Sequence, residues 1–322
     1  VAEERHTGEI CAIQCKFYSP THILHKDDID SFFTASGKKP FSSRIIISTT
    51  DRWSKHAETA LDNQTIPVQR LRLQDLANSP VDWSKFSLVR PQELKLKKKN
   101  KIRPHQKTAL KKVVDGFKDA DRGKLIMACG TGKTFTSLKI AEHLAPANGT
   151  VLFLVPSLSL LSQSLREWTA EAESTLHSFA VCSDSKVGKK TEDISTHDLA
   201  FPATTDARRL AAQVRAFKNK KQLTVIFSTY HSIQAVADSQ AQGVPEFDLI
   251  VCDEAHRTTG VTLEGDDESH FIRVHDQEFI RAKKRLYMTA TPRIYSDGTK
   301  TQAKEQDATL CSMDDESLYG DE

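Results

Sequence analysis

The chain has no dominant charge: 45 Lys and Arg stand against 43 Asp and Glu, a formal net charge of +2. That excludes the uniformly basic composition of a histone-like binder, so nucleic-acid contact has to come from local patches. No CxxC pair is present. The six cysteines (Cys11, Cys15, Cys129, Cys182, Cys252 and Cys311) are scattered, four of them in apolar runs that read as buried strands. This argues against a zinc site or a disulfide framework and points to a reduced, cytoplasmic protein. No apolar run approaches the ~18 residues of a membrane span, and no secretory signal precedes the first strand, so no membrane partner is expected. Internal repeats and low-complexity segments are lacking too. What remains, 38% hydrophobic and 27% charged residues over 322 positions, is a globular composition too long for one modest core, and two domains are expected. Both ends read as cut: the chain opens at Val1, without a methionine and close to a strand, and stops at Glu322 in an acidic stretch.

The most informative segment reads Met-Ala-Cys-Gly-Thr-Gly-Lys-Thr over residues 127–134. Gly130 and Gly132 permit a backbone that points successive N–H groups at phosphate oxygens, with Thr131 between them. Lys133 would reach the β- and γ-phosphates and the Thr134 hydroxyl would ligate Mg²⁺, while the helix that follows sets its positive N-terminus against the same phosphates. A strict GxxxxGK[ST] pattern wants glycine where Met127 stands. Later the chain reads Val-Cys-Asp-Glu-Ala-His over residues 251–256. Asp253 ends an apolar strand and would hold Mg²⁺, Glu254 would orient or deprotonate the attacking water, and His256 would couple the site to its surroundings. The two segments are expected on neighbouring strands, sharing one Mg–ATP complex.

Three weaker signals accompany them. Thr289 and Thr291, in Thr-Ala-Thr-Pro after the strand 285–289, offer hydroxyls that can relay between the acidic pair and a partner surface. Gln106, in Arg-Pro-His-Gln, opens the helix before the phosphate loop with an amide able to read an adenine edge. Pro156, Ser157, Ser228 and Thr229 supply hydroxyls and N–H groups at helix starts, suited to gripping a DNA backbone; helix capping is the plain alternative.

Periodicity divides the chain at a basic stretch. Residues 1–80 alternate short strands and helices: strands over 9–18, 44–49 and 68–73, helices over 25–35, 53–61 and 73–77. Residues 81–103, with Lys95, Lys97, Lys98, Lys99 and Lys101, read as a linker, either solvated or a phosphate-contacting strap. Residues 104–322 show the longer βα rhythm of a parallel sheet with helices on both faces, the fold class expected for the whole being α/β. Strands are expected over 124–128, 150–155, 177–182, 223–228, 247–252 and 285–289. Helices are expected over 104–119, 134–145, 158–173, 206–218 and 231–240, and loops over 183–205 and 257–270.

The ordered set GTGKT, VPSLSLL, STYHS, DEAH and TATP resembles the first RecA-like motor domain of superfamily 2 helicases and translocases, over residues 103–292. Its surroundings resemble the motors of restriction enzymes more than those of RNA helicases. Ahead of it, Ile13-Gln14-Cys15-Lys16 resembles the second half of an Mrr-like PD-(D/E)xK nuclease motif, in a smaller restriction-endonuclease-like α/β domain. There Gln14 would help hold Mg²⁺ and Lys16 would activate water or steady the pentacovalent charge. The family's catalytic aspartate lies on the preceding strand and is expected upstream of Val1. A nuclease fused to such a motor resembles the type ISP restriction-modification enzymes. The resemblance implies ATP and Mg²⁺ as cofactors, duplex DNA as partner and cleavage of foreign DNA. It also implies a second motor domain carrying the arginine finger, then methyltransferase and target-recognition domains through which alone S-adenosylmethionine would enter. Two other readings stand beside it: a repair or RNA helicase whose N-terminal domain only binds nucleic acid, and an ATP-binding switch with little turnover.

Overall fold

Strands that are apolar at every position belong in a sheet covered on both faces, and strands with mixed burial belong near an edge. Both kinds occur in the computed structural model, which describes all residues except 4–7, 63, 183–198, 200–202, 218–221, 264–269 and 306–307. The chain folds as two units, one of Val1–Asn100 with the described part of 184–203, the other of Lys101–Ser183 and Thr204–Glu322.

The first unit is a four-stranded sheet in the order β1 (Ala2–Glu3), β2 (Ile10–Lys16), β3 (Phe41–Ser48), β4 (Val68–Arg72), with helices α1 (Asp27–Ser36), α2 (Lys55–Thr59) and α3 (Leu73–Ala77). β1 runs antiparallel to β2; β2, β3 and β4 are parallel. Parallel neighbours require crossovers, and α1 and α2 supply them. Ala12, Ile46 and Val68 pack with Ile29, Phe32 and Leu61 to form its core. The stretch after α3 carries a short ladder: Asp82 N–H donates to Lys95 O at 2.7 Å and Lys97 N–H to Pro80 O at 2.8 Å. Lysines 95, 97, 98, 99 and 101 are all exposed, and the Lys97 ammonium donates to Ala77 O and Ser79 O.

In the second unit helix α4 (Pro104–Gly116) precedes β5 (Arg122–Ile126), a glycine-containing loop and α5 (Lys133–Leu144). Then come β6 (Thr150–Val155), α6 (Leu158–Glu171), β7 (Leu176–Val181), α7 (Ala207–Phe217), β8 (Leu223–Thr229), α8 (Ile233–Ala241), β9 (Leu249–Cys252), β10 (Gly260–Leu263) and β11 (Arg285–Thr289). Helix α9 (Asp297–Glu305), β12 (Ala308–Cys311) and α10 (Glu316–Tyr319) close the chain. The main sheet is parallel, ordered β5-β11-β9-β6-β8-β7. β6, β8 and β9 are buried throughout, and Trp168 of α6 wedges against Phe153 and Phe227 at 5.1 and 5.6 Å between ring centres.

Two expectations need correction. Residues 257–270 are not all loop: β10 pairs antiparallel with β12. Its partner lies far along the chain, so nothing local marks it, and residues 264–269 lie outside the described set. Of the four cysteines in expected strands, Cys182 and Cys252 are buried and Cys11 is half-buried, whereas Cys15 is exposed. Cys15 alternates with the inward Gln14 and Lys16 and so faces out. The expected loop 183–205 falls largely outside the described residues.

Beneath β5 and β11 lies a buried polar node. His275 Nε2 stands 3.2 Å from Thr258 O, which can only accept, so Nε2 carries the hydrogen and Nδ1 accepts from the Tyr287 hydroxyl at 2.9 Å. Burial, aided by Arg122 and Arg285, pushes His275 from its ordinary 6.5 down to about 4. A histidine held neutral contributes stability that is complete above pH 6.5 and is lost as pH falls toward 4, up to about 3 kcal/mol. Asp253 opposes it, since its pKa is raised and its contribution is lost as pH rises through about 6. The His275 effect is therefore read as a difference: in urea unfolding, the gap between the parent and His275→Gln should shrink by about 2 kcal/mol between pH 7.5 and 4.5. A gap that does not change with pH would contradict this.

Candidate nucleotide and nuclease sites

The loop expected to hold phosphates leaves β5 at Met127 and enters α5 at Lys133. Gly130 and Gly132 take φ values of 76° and 85°, left-handed geometry open to glycine, and a Cβ on Gly132 would strike the Gln106 side chain. The Thr131 hydroxyl donates to Ala128 O at 2.6 Å, tightening the loop, and the Lys133 ammonium lies 3.5 Å from Met127 O. Gln106 is buried: its Nε2 donates to Thr131 O at 3.0 Å and its Oε1 accepts from Arg103 N–H at 2.9 Å. The amide expected to read adenine thus ties the loop to the start of α4. A cavity of about 600 Å³ runs between α4 and β5, lined by His105, Thr108, Phe117, Leu125 and Thr131.

The acidic turn leaves β9. Asp253 is 5% exposed; burial first, then the neighbouring Glu254, raise its pKa to about 6, while Lys133 pulls it down. Glu254 takes φ 49°, a left-handed conformation that costs a β-carbon-bearing residue ~1–2 kcal/mol. His256 Nδ1 lies 3.3 Å from Glu254 Oε2 and 3.1 Å from Thr289 Oγ1.

The strand before the glycine loop and the acidic strand, expected to be neighbours, are not: β11 runs between them. Chain order carries no information about this insertion. Two strand spacings are only ~10 Å, and both segments leave the same end of a parallel sheet. β11 also joins them physically. Met127 N–H donates to Thr289 O at 3.0 Å, while the buried Thr289 hydroxyl meets His256. Thr291 N–H donates to Thr289 Oγ1 at 3.1 Å, with its own side chain exposed.

The residues expected to touch DNA divide. Pro156 and Ser157 are half-exposed, with the Ser157 hydroxyl accepting from Leu160 N–H to cap α6. Ser228 and Thr229 are buried, their hydroxyls donating to Thr229 O and Ser232 Oγ, because they complete an inward strand end. Sequence reasoning missed three contributors. Trp168 Nε1–H donates to Thr134 O at 3.0 Å. The Tyr230 hydroxyl donates to Asp253 O at 2.9 Å. Glu167, with its pKa raised by burial and then by Glu171 and Asp253, adds a third acid near the pair. None has a local pattern that points to the site, since Thr134 lies 34 residues from Trp168 and Asp253 lies 23 from Tyr230 and far along the chain from Glu167.

In the first unit Gln14 and Lys16 share the helix-covered face with Ala12. Gln14 Oε1 is buried without a hydrogen-bond partner among the described residues, as an atom awaiting a ligand would be. The carboxylate that Lys16 influences is Asp28, but both of its oxygens are occupied, one by the Tyr18 hydroxyl and the other by His25 N–H. No group of three or more His, Cys, Asp or Glu side chains suited to a metal occurs among the described residues.

The second unit is an α/β fold with a glycine loop at the end of its first strand, and a smaller α/β unit precedes it in the sequence. Residues 99–294 match the family described as the type III restriction enzyme res subunit, and residues 1–93 match a restriction endonuclease family. The chain belongs to the type III res-subunit family, with a restriction endonuclease segment ahead of it. It is similar to the ATP-dependent type ISP restriction-modification enzyme LlaBIII bound to DNA: 41% identical, TM-score 0.81, covering 99% of this chain and 21% of that one. A nuclease-deletion mutant of the type ISP enzyme LlaGI, with a DNA substrate mimic, is also 41% identical, at a TM-score of 0.53, covering 69% of this chain and 19% of that one. A probable helicase, A859L of African swine fever virus (isolate Tick/Malawi/Lil 20-1/1983), is 31% identical over 192 residues, 59% of this chain and 19% of its own length. The chain thus spans about a fifth of the length of these relatives. The fold matches that of the type ISP enzymes, and among the described residues no helix is long and apolar enough to cross a membrane.

Proposed function

We propose that this chain is the nuclease and first-motor portion of an ATP-dependent restriction enzyme that translocates on duplex DNA and cleaves it, acting in the cytoplasm. The observation that carries it is the similarity to LlaBIII over 99% of the chain, nuclease and motor together, at 41% identity. The probable helicase of the swine fever virus matches 59% of this chain, too little to span both units, so a helicase reading leaves a large part without a role. Six cysteines without a disulfide support the cytoplasmic placement.

In this reading the amides from Gly130 to Thr134 hold the phosphates, and the nucleotide base enters the cavity beside His105 and Gln106. Lys133 neutralises charge on the β- and γ-phosphates. A divalent ion, when bound, supplies charge neutralisation across those phosphates. The Thr134 hydroxyl and Asp253 would hold it, and the donor set fits: a nearly buried carboxylate whose charge is disfavoured without a cation, within electrostatic reach of Lys133. Glu254 orients the attacking water and accepts its proton. His256, Thr289 and Thr291 carry the state of that site to the exposed edge after β11. Pro156 and Ser157, with the backbone at Ser228 and Thr229, grip the DNA strand. In the nuclease unit Gln14 would help hold the second ion and Lys16 would steady the charge at phosphorus.

In the full enzyme, Lys16→Ala should reduce DNA cleavage by about 10²-fold, a share of the several kcal/mol such charge stabilisation supplies, and leave DNA-stimulated ATP turnover intact. Undiminished cleavage would remove Lys16 from the nuclease site. Stimulation of ATP turnover by RNA but not duplex DNA would favour the helicase reading.

A further inference from the structure

Buried hydroxyls hold both ends of the acidic turn. A residue at φ 49°, as Glu254 is, persists in that conformation only when its surroundings over-determine it. At the entry, Asp253 N–H donates to Leu154 O at 2.9 Å, and the Tyr230 hydroxyl donates to Asp253 O at 2.9 Å. At the exit, the Tyr319 hydroxyl donates to Thr258 O at 2.9 Å, a carbonyl also reached by His275 Nε2 at 3.2 Å. The Thr258 hydroxyl turns back to Ala255 O at 2.8 Å, so residues 255–258 are closed on themselves as well as anchored.

Both tyrosines are fully buried and their rings are wedged. Tyr319 lies 4.7 Å from the His275 ring and 4.8 Å from that of Tyr287; Tyr230 lies 5.0 Å from Phe271. Tyr319 also stands next to Leu318, whose carbonyl accepts from Arg122 Nη1 at 3.0 Å. One short helix thereby braces the acidic turn and the strand that leads into the phosphate loop.

We infer that Tyr230 and Tyr319 are positioning residues for the Glu254 turn, each fixing the carbonyl at one end so that the carboxylate stays aimed at the water it activates. The inference rests on the role proposed above for Glu254. Neither hydroxyl touches the phosphate loop, so nucleotide binding is left alone and the chemical step takes the loss. A phenylalanine keeps the ring and its packing and removes only the hydrogen bond.

The test is steady-state ATP turnover by the full enzyme at saturating duplex DNA, for Tyr230→Phe, Tyr319→Phe and Glu254→Gln, with thermal unfolding of each. Each tyrosine variant should lose about tenfold in kcat, a fraction of what a 1 Å misplacement costs, with KM for ATP changed less than about twofold. Each tyrosine stands or falls by its own variant. Parent-like kcat overturns its role, as does a raised KM with kcat retained, or a loss that matches the unfolded fraction at the assay temperature. Normal turnover by Glu254→Gln would instead overturn the reading of Glu254 on which the inference rests.

Discussion

Replacing Lys133 with alanine should lower DNA-stimulated ATP turnover of the full enzyme by about 10²–10³-fold, the usual loss when one preorganised charge partner is removed from a reacting phosphate or oxyanion. Two consequences combine. Lys133 begins α5, with its ammonium folded back over the loop toward Met127 O, where the phosphates would displace it. It also sits close enough to Asp253 to favour that group's ionised form against burial and the charge of Glu254. Alanine leaves the phosphates without their cation and Asp253 without the positive charge that favours its ionised form. Fluorescent-nucleotide binding should weaken together with turnover. Full turnover would show that residues 127–134 are a glycine turn without a nucleotide.

Glu254→Gln should give the opposite dissociation: nucleotide held, hydrolysis lost by about 10³-fold, within the range for a general base. Glutamine is isosteric, pays the same cost of the left-handed backbone, and still reaches His256. It removes one negative charge beside the nearly buried Asp253 and so eases the repulsion there. Binding at least as tight as the parent's, with no burst of phosphate release, is the expected signature. A variant that hydrolyses normally would place the water elsewhere. Together the two substitutions separate holding the phosphates from attacking them.

Much of this was legible in the sequence, for identifiable reasons. β6, β8, β9 and β11 are short apolar runs because both faces of the sheet are covered, and that burial leaves a strong one-dimensional trace. The turn over residues 127–134 stands out because Gly130 and Gly132 take a left-handed backbone that favours glycine. The insertion of β11 between β5 and β9 was not legible, because strand order is decided by crossovers and not by local composition. β1, β10 and β12 escaped as strands of two to four residues, each too short for alternation to show. The inward turn of Ser228 and Thr229, the duty of Gln106 within the loop, and the bracing by Tyr230 and Tyr319 depend on distant partners. A hydroxyl's partner 23 or 61 residues away leaves no spacing to read. In the nuclease unit, the QxK pattern located Gln14 and Lys16 on one strand face, but the engagement of Asp28 with Tyr18 and His25 is a tertiary fact.

The central claim is that Thr134 and Asp253 serve one metal–nucleotide complex across the intervening β11. A crystal structure of the full enzyme with Mg²⁺ and a non-hydrolysable ATP analogue tests it most directly. The expected result is a single ion touched by the Thr134 hydroxyl at ~2.1 Å and by Asp253 directly or through one water, with the Lys133 ammonium on the terminal phosphates. An ion that contacts only one of these segments, or a nucleotide bound away from residues 130–134, would contradict it.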